Sequence, residues 1–247
     1  MTAELLIVLA GALAAGFVQG LSGFAFSLVA LSVWAWAVEP ALAAPMAVFG
    51  SLVGQLATWP LTRKGFDFAR FWPFVLGGLV GVPIGVFALQ YVEPAHFRFG
   101  LGAFLIVYCP IALFLPATHV TFGGRWMDAA SGWVGGVMGG IGGMAGSIPA
   151  LWLAARGWDK DLQRGVMQAF NISMHVATLT GYVLAGHITL TTLGWFAWIA
   201  PTLVIPALIG AMLFRRMNAA AFRRLVLGLL FLSGLVLAGS GASALLA

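Results

Sequence analysis

Charge is what this chain has least of. Only 8% of its 247 residues are Asp, Glu, Lys or Arg, where a soluble domain carries roughly a quarter. With 62% hydrophobic residues, most of the surface must face something other than water. Cysteine is nearly absent too: the single Cys109 excludes a disulfide framework or a cysteine-based metal cluster within the chain. It lies in an apolar run and reads as a small packing hydrophobe. No acidic residue falls in the middle of an apolar run, so no metal and no cofactor are expected. No Lys or Arg precedes the first apolar run in MTAELLIVLAG. The chain start therefore lacks the basic region of a signal peptide and is expected to remain in the mature protein. The net charge of +5 comes from basic residues scattered between apolar runs, a poor phosphate-binding surface, so no nucleic-acid partner is expected.

What is present is a series of apolar stretches, several of them longer than the roughly 20 residues needed to cross a bilayer. Eight can be drawn: 4–38, 41–62, 71–92, 97–116, 127–155, 164–186, 190–214 and 221–246. No polar linker or soluble domain separates them. The reading is an all-α polytopic membrane protein with lipid around it, one membrane domain over residues 1–247.

The basic residues set the sides. If all eight stretches cross once, the loops holding Arg63, Lys64 and Arg70 and holding Arg156, Lys160 and Arg164 fall on opposite faces, against the cytoplasmic bias of Lys and Arg. If the first and fifth stretches instead enter and return on one side, eleven of the twelve basic residues become cytoplasmic and only Arg98 is outside. Those are also the two glycine-rich stretches: GFVQGLSGF at 16–24 and GVMGGIGGM at 136–144. Split into two legs of about 14 residues, the fifth stretch would reach about 21 Å per leg, short of the roughly 30 Å hydrocarbon core. The expectation is a re-entrant or broken segment in each half, plus three transmembrane helices. The glycines align in register, and PIGVFALQYVEPAHFR (83–98) resembles LIGAMLFRRMNAAAFR (208–223). Three crossings per half invert the second copy, giving repeat one at 1–118 and repeat two at 126–247. Inverted repeats with discontinuous helices are a common design of secondary transporters. A helix end inside the membrane offers bare N–H groups that suit an anion. The plainer reading, glycines for close helix packing, stays open, since Gly16–Gly20 and Gly139–Gly143 have that four-residue spacing.

On these residues the chain resembles the sulfite exporter TauE/SafE family of membrane permeases. The resemblance spans nearly the whole length. It rests on GFVQGLSGFAFSLVA and on GGVMGGIGGMAGSIPALWLAARGW, followed by an amphipathic loop and QAFNISM. It implies a multi-pass protein of a bacterial-type inner membrane that transports small sulfur-containing anions, such as sulfite or organosulfonates of the sulfoacetate kind.

The candidate substrate-binding residues follow from the two turns and the polar positions facing them. Gln19, Gly20, Ser22 and Gly23 lie in the first turn, Gly140 and Gly143 in the second, and Ser147 just after it. Gln19 and Ser22 would either donate to sulfonate oxygens or cap the turn. Asn171 and His175 are four apart and share a helix face, and a polar pair at that depth needs a cavity or partners. His175 is the candidate carrier of a coupling proton. Gln55 occupies the corresponding stretch of the other half. His96, His119 and His187 fall near loops and read as solvated. Asp159 and Asp161 read as local salt-bridge partners. Trp34, Trp36, Trp59, Trp72, Trp126 and Trp158 read as interfacial anchors, with Trp133 and Trp152 packed beside the second half-helix pair. No Lys or Arg is expected to be buried. The expected function is alternating-access transport, not enzymatic. A passive anion channel remains an alternative, and for an intramembrane enzyme the chain offers His175 with Asn171 and Ser173 but no membrane-embedded Asp, Glu or Cys nucleophile beside them.

Overall fold

The computed structural model describes residues 3–114, 120, 122–214 and 219–246, without the side chains of Lys64 and of 219–223. His119, Arg215 and Arg216 lie outside the described residues. Among the described residues ten α-helices follow one another: α1 (Ala3–Ser22), α2 (Phe26–Trp34), α3 (Pro40–Thr62), α4 (Phe68–Leu89), α5 (Pro94–Phe114), α6 (Gly124–Gly142), α7 (Ser147–Ala155), α8 (Lys160–Leu184), α9 (Leu190–Leu213) and α10 (Ala219–Leu246). Six of them, α1, α3, α4, α5, α9 and α10, are long and apolar enough to cross a membrane. Large apolar side chains such as Phe68, Phe87, Phe114, Leu184 and Ile205 point outward, which suits hydrocarbon rather than water.

The order long helix, glycine break, short helix, three long helices occurs twice. Each break turns the chain back on itself. Trp34, at the end of α2, donates from Nε1 to Val8 O at 3.1 Å, so α2 runs antiparallel along α1. Trp152, near the end of α7, donates to Asp128 at the start of α6, so α7 returns along α6. The legs are unequal, contrary to the two legs of about 14 residues expected of the fifth stretch. They are 20 and 9 residues in the first hairpin and 19 and 9 in the second. The cause is that most glycines of each cluster stay helical. Only Gly23 (φ +90°) and Gly143 (φ +72°) leave the helix, in the left-handed region that glycine enters without steric cost.

The helical glycines serve packing. A Cβ on Gly20 would stand 2.1 Å from Ala207 O, and one on Gly16 2.7 Å from Leu203 O, so α1 lies backbone to backbone on α9. In the same way Gly77, Gly81 and Gly85 of α4 interlock with Gly132, Gly136 and Gly140 of α6. Each hairpin's long leg is thus held by a helix of the other half, α1 by α9 and α6 by α4, while α5 packs on α10 and α3 on α8.

Helix starts follow the local sequence. Asp67 caps α4 by accepting from Arg70 N, Thr189 and Thr192 form a capping box on α9, and Pro40 opens α3. Asp159, expected as a salt-bridge partner, also has a local role: its carboxylate accepts from Asp161 N and Leu162 N and caps α8. Trp34 is likewise not an interfacial anchor, because it is fully buried between α2 and α1. Trp152 does pack within the second hairpin. Arg98, the lone basic residue of its loop, donates from Nε to Ala35 O at the C-terminal end of α2 and lies over Trp36. His96 is exposed beside Glu93, and His187 stands edge-on to Tyr182.

Candidate functional site

The two left-handed glycines anchor the same construction. Gln55 of α3 donates from Nε2 to Gly23 O at 2.7 Å. His175 of α8 places Nε2 3.1 Å from Gly143 O, where it donates. Both partners of the second contact lie 120 residues beyond those of the first. The same interval relates other residues here: Ser27 to Ser147, Ser51 to Asn171, and Thr58 to Thr178. All six are buried.

The two turns touch. A Cβ on Gly143 would meet Ser27 Oγ at 2.6 Å, and one on Gly146 would meet Phe24 at 2.7 Å and Asn171 Oδ1 at 2.8 Å. Asn171 also donates to Gly23 O at 3.4 Å, so α8 reaches both turns. α3 and α8 are tied directly: Gln168 Nε2 donates to Gln55 O at 2.7 Å and to Thr58 Oγ1 at 2.9 Å.

Seven buried side-chain atoms among the described residues have no hydrogen-bond partner: Gln19 Oε1, Gln55 Oε1, Ser147 Oγ, Arg164 Nε, Asn171 Oδ1, His175 Nδ1 and Thr178 Oγ1. Six belong to residues on or against the two turns, and Thr178 lies three residues beyond His175 on α8. A buried polar group left unpaired costs about 1–3 kcal/mol. The amide orientations are set by the bonds each NH₂ makes to a backbone carbonyl, Gln19 to Ser51 O, Gln55 and Asn171 to Gly23 O. That leaves each amide oxygen as the open end. With Nε2–H spent on Gly143, Nδ1 of His175 is an acceptor as well. The open set is therefore four acceptors, the guanidinium Nε–H of Arg164, and two hydroxyls that serve either way.

The other sequence candidates have defined places. Ser22 Oγ accepts from Phe24 N and Ala25 N at 3.4 and 3.2 Å, capping the start of the return leg. Gly20 and Gly140 face α9 and α4 and are consumed by helix packing. Ser27 and Ser51, joined at 2.9 Å, were not among the candidates. The 120-residue interval, applied to Ser147 and Asn171, points to both.

Arg164 modifies the expectation that no cation is buried: the residue is half-buried, with its Nε enclosed. Its Nη1 donates to Leu21 O at 2.9 Å and its Nη2 to Gly20 O, the last carbonyls of α1, where a cation is favoured. Its guanidinium lies 4.6 Å over the Phe214 ring. The residue also lines a cavity of about 310 Å³ that abuts Ser22, Gly23, Phe24 and Ala25. Lys160 and Gln163, also on α8, line it too. The foot of the second hairpin holds a further ionic group: Asp128 is 3% exposed, accepts from Trp152 Nε1 at 2.7 Å and faces Arg156 Nη2 at 3.8 Å.

No curated protein and no solved structure matches this chain. The model of the sulfite exporter TauE/SafE family matches residues 7–237, a span that takes in both hairpins and every residue of the site, and the chain belongs to that family of transmembrane transporters.

Proposed function

We propose that this permease carries small sulfur-containing anions, sulfite or organosulfonates of the sulfoacetate kind, by alternating access between two inverted repeats. The cargo sits between the Gly23 and Gly143 turns. The observation that carries this reading is that, among the described residues, six of the seven unpartnered buried polar atoms belong to residues on or against those turns. Polar groups at such depth persist where a ligand or water completes them. Ser147, Thr178 and Arg164 supply the donors to an oxyanion.

The four open acceptors ask for hydrogens that a bare anion does not bring. A proton or ordered water therefore arrives with the cargo. His175 Nδ1 is the natural proton acceptor among them, and an anion and a proton crossing together spare the protein part of the cost of moving net charge. Repeat inversion is supported by the basic residues. With both hairpins entering and leaving on one side, all but Arg98 share a face, and Arg98 is engaged with the end of α2.

The test is a ligand panel on the purified full chain: sulfite, thiosulfate, sulfoacetate, isethionate, taurine, sulfate and a carboxylate control, read as thermal stabilisation and as uptake into proteoliposomes. A cargo should raise the melting temperature in a concentration-dependent way, and Asn171→Asp, which sets a like charge in the site, should abolish that rise. Preference for the carboxylate over every sulfur anion overturns the substrate class.

A further inference from the structure

The cavity beside the first turn belongs to one half of a repeated construction, so the other half shows what has become of its image. The interval that pairs Gln55 with His175 and Gly23 with Gly143 also pairs Leu151, Ala154 and Arg164 of the cavity wall with Leu31, Trp34 and Ala44. The first three are half-buried and face the cavity. Their counterparts are wholly buried. Lys160 on the rim is exposed, and its counterpart Pro40 is buried.

Side chains fill the image. A Cβ on Gly142, the counterpart of the cavity residue Ser22, would meet Leu31 Cδ1 at 3.0 Å. Where the second half leaves room with Ala154, the first half sets the indole of Trp34. That indole is seated. Its Nε1 donates to Val8 O at 3.1 Å, and Gly11 makes its room, since a Cβ there would stand 2.4 Å from Nε1. The neighbouring Ala35 O takes Arg98, the one basic residue on the other side of the assigned topology.

A carrier built from inverted repeats offers its central site to each face in turn. The cavity runs to the face that holds Lys160, and its packed image lies toward the opposite one. We infer that Trp34 is the gate of the second path: access from the opposite face requires the indole to leave Val8 and Gly11 and so uncover a pocket beside the Gly143 turn, between α2 and the start of α3. The inference rests on the inverted-repeat reading above and deepens it by naming the residue that closes one side.

The experiment reads the sidedness of single cysteines in the full chain, in proteoliposomes of one orientation, with Cys109→Ala as background and a charged, membrane-impermeant maleimide as probe. Ala150→Cys, on the cavity wall, should label from the basic face. Its counterpart Ala30→Cys, wholly buried, should stay unlabelled from the opposite face. Adding Trp34→Ala, which copies Ala154, should raise labelling of Ala30→Cys from the opposite face by about tenfold, as expected when one buried hydrogen bond no longer holds the closed state. Trp34→Phe, which keeps an aromatic plug, should stay close to the parent. Gly11→Ala pushes the indole from its seat without deleting it and should also raise labelling, so it decides the matter where Trp34→Ala lowers folded yield. Melting temperatures confirm that the labelled protein is folded. Unchanged labelling of Ala30→Cys in the folded variants overturns the gate. So does labelling of Ala30→Cys from the opposite face, with Trp34 in place, as fast as Ala150→Cys labels from the basic face. These outcomes leave the sulfur-anion reading standing, because that reading is tested by the ligand panel.

Discussion

Gln55 and His175 are counterparts: each uses Nε2 to hold the carbonyl of a left-handed glycine, Gly23 in one hairpin and Gly143 in the other. The pair defines the site more sharply than the glycine clusters do. It also shows where the halves differ chemically, since only the second carries an ionisable ring.

That difference gives the first prediction. His175→Gln should fold, because glutamine already fills the equivalent position as Gln55 and can keep the bond to Gly143 O. Uptake by the variant should lose its pH dependence while the melting temperature stays near wild type. A wild-type pH profile would remove the ring from coupling.

Alanine at either turn glycine should destabilise by about 1–2 kcal/mol from the left-handed backbone alone. Gly143→Ala should be the worse of the two. Its Cβ would stand 2.6 Å from Ser27 Oγ, against 3.2 Å from Arg164 Nε for Gly23→Ala. Melting temperatures of the two variants in one detergent give the ranking, and equal values would mean that the turns tolerate the change by shifting.

Packing glycines and free glycines should separate cleanly. Gly81→Ala would drive a methyl to 2.2 Å from Trp133 O, and Gly20→Ala to 2.1 Å from Ala207 O. Both should lower stability and folded yield in membranes. Gly194→Ala and Gly228→Ala meet nothing within 4 Å and should be neutral or gain up to about 1 kcal/mol from helix propensity.

At the foot of the second hairpin, Asp128→Ala leaves Trp152 Nε1 and Arg156 without their shared acceptor. A loss of about 2 kcal/mol is expected, less than for a fully enclosed pair because Arg156 is partly exposed. Asp128→Asn keeps an acceptor for Trp152 and should recover part of it. The two values, read by denaturation in detergent, apportion the charge and the hydrogen bond.

Much of the architecture was legible in the sequence because the bilayer writes it in long apolar runs. The eight stretches coincide with α1–α2, α3, α4, α5, α6–α7, α8, α9 and α10 to within a few residues. The fold-back of the first and fifth stretches was readable from the placement of Arg63, Lys64, Arg156 and Lys160, and the structure shows α2 and α7 returning along α1 and α6. The leg lengths were not readable. Glycine composition marks both a break and a helix contact, and only the partner helices, α9 and α4, tell Gly20 from Gly23. Arg164 was missed for a related reason. In sequence it belongs to a basic loop, and only the fold brings the end of α1 to it across more than 140 positions. Ser27 and Ser51 were hidden because small hydroxyls inside apolar helices carry no pattern of their own.

The clasp of α1 by α9 has a consequence for how the chain is made. The glycine face of α1 leaves the ribosome well before the surface of α9 that fits it. Until α9 arrives, that face must be sheltered by lipid, by the insertion machinery or by a neighbouring segment. A nascent chain cut short before residue 190 should therefore be a substrate for quality control rather than a half-size carrier.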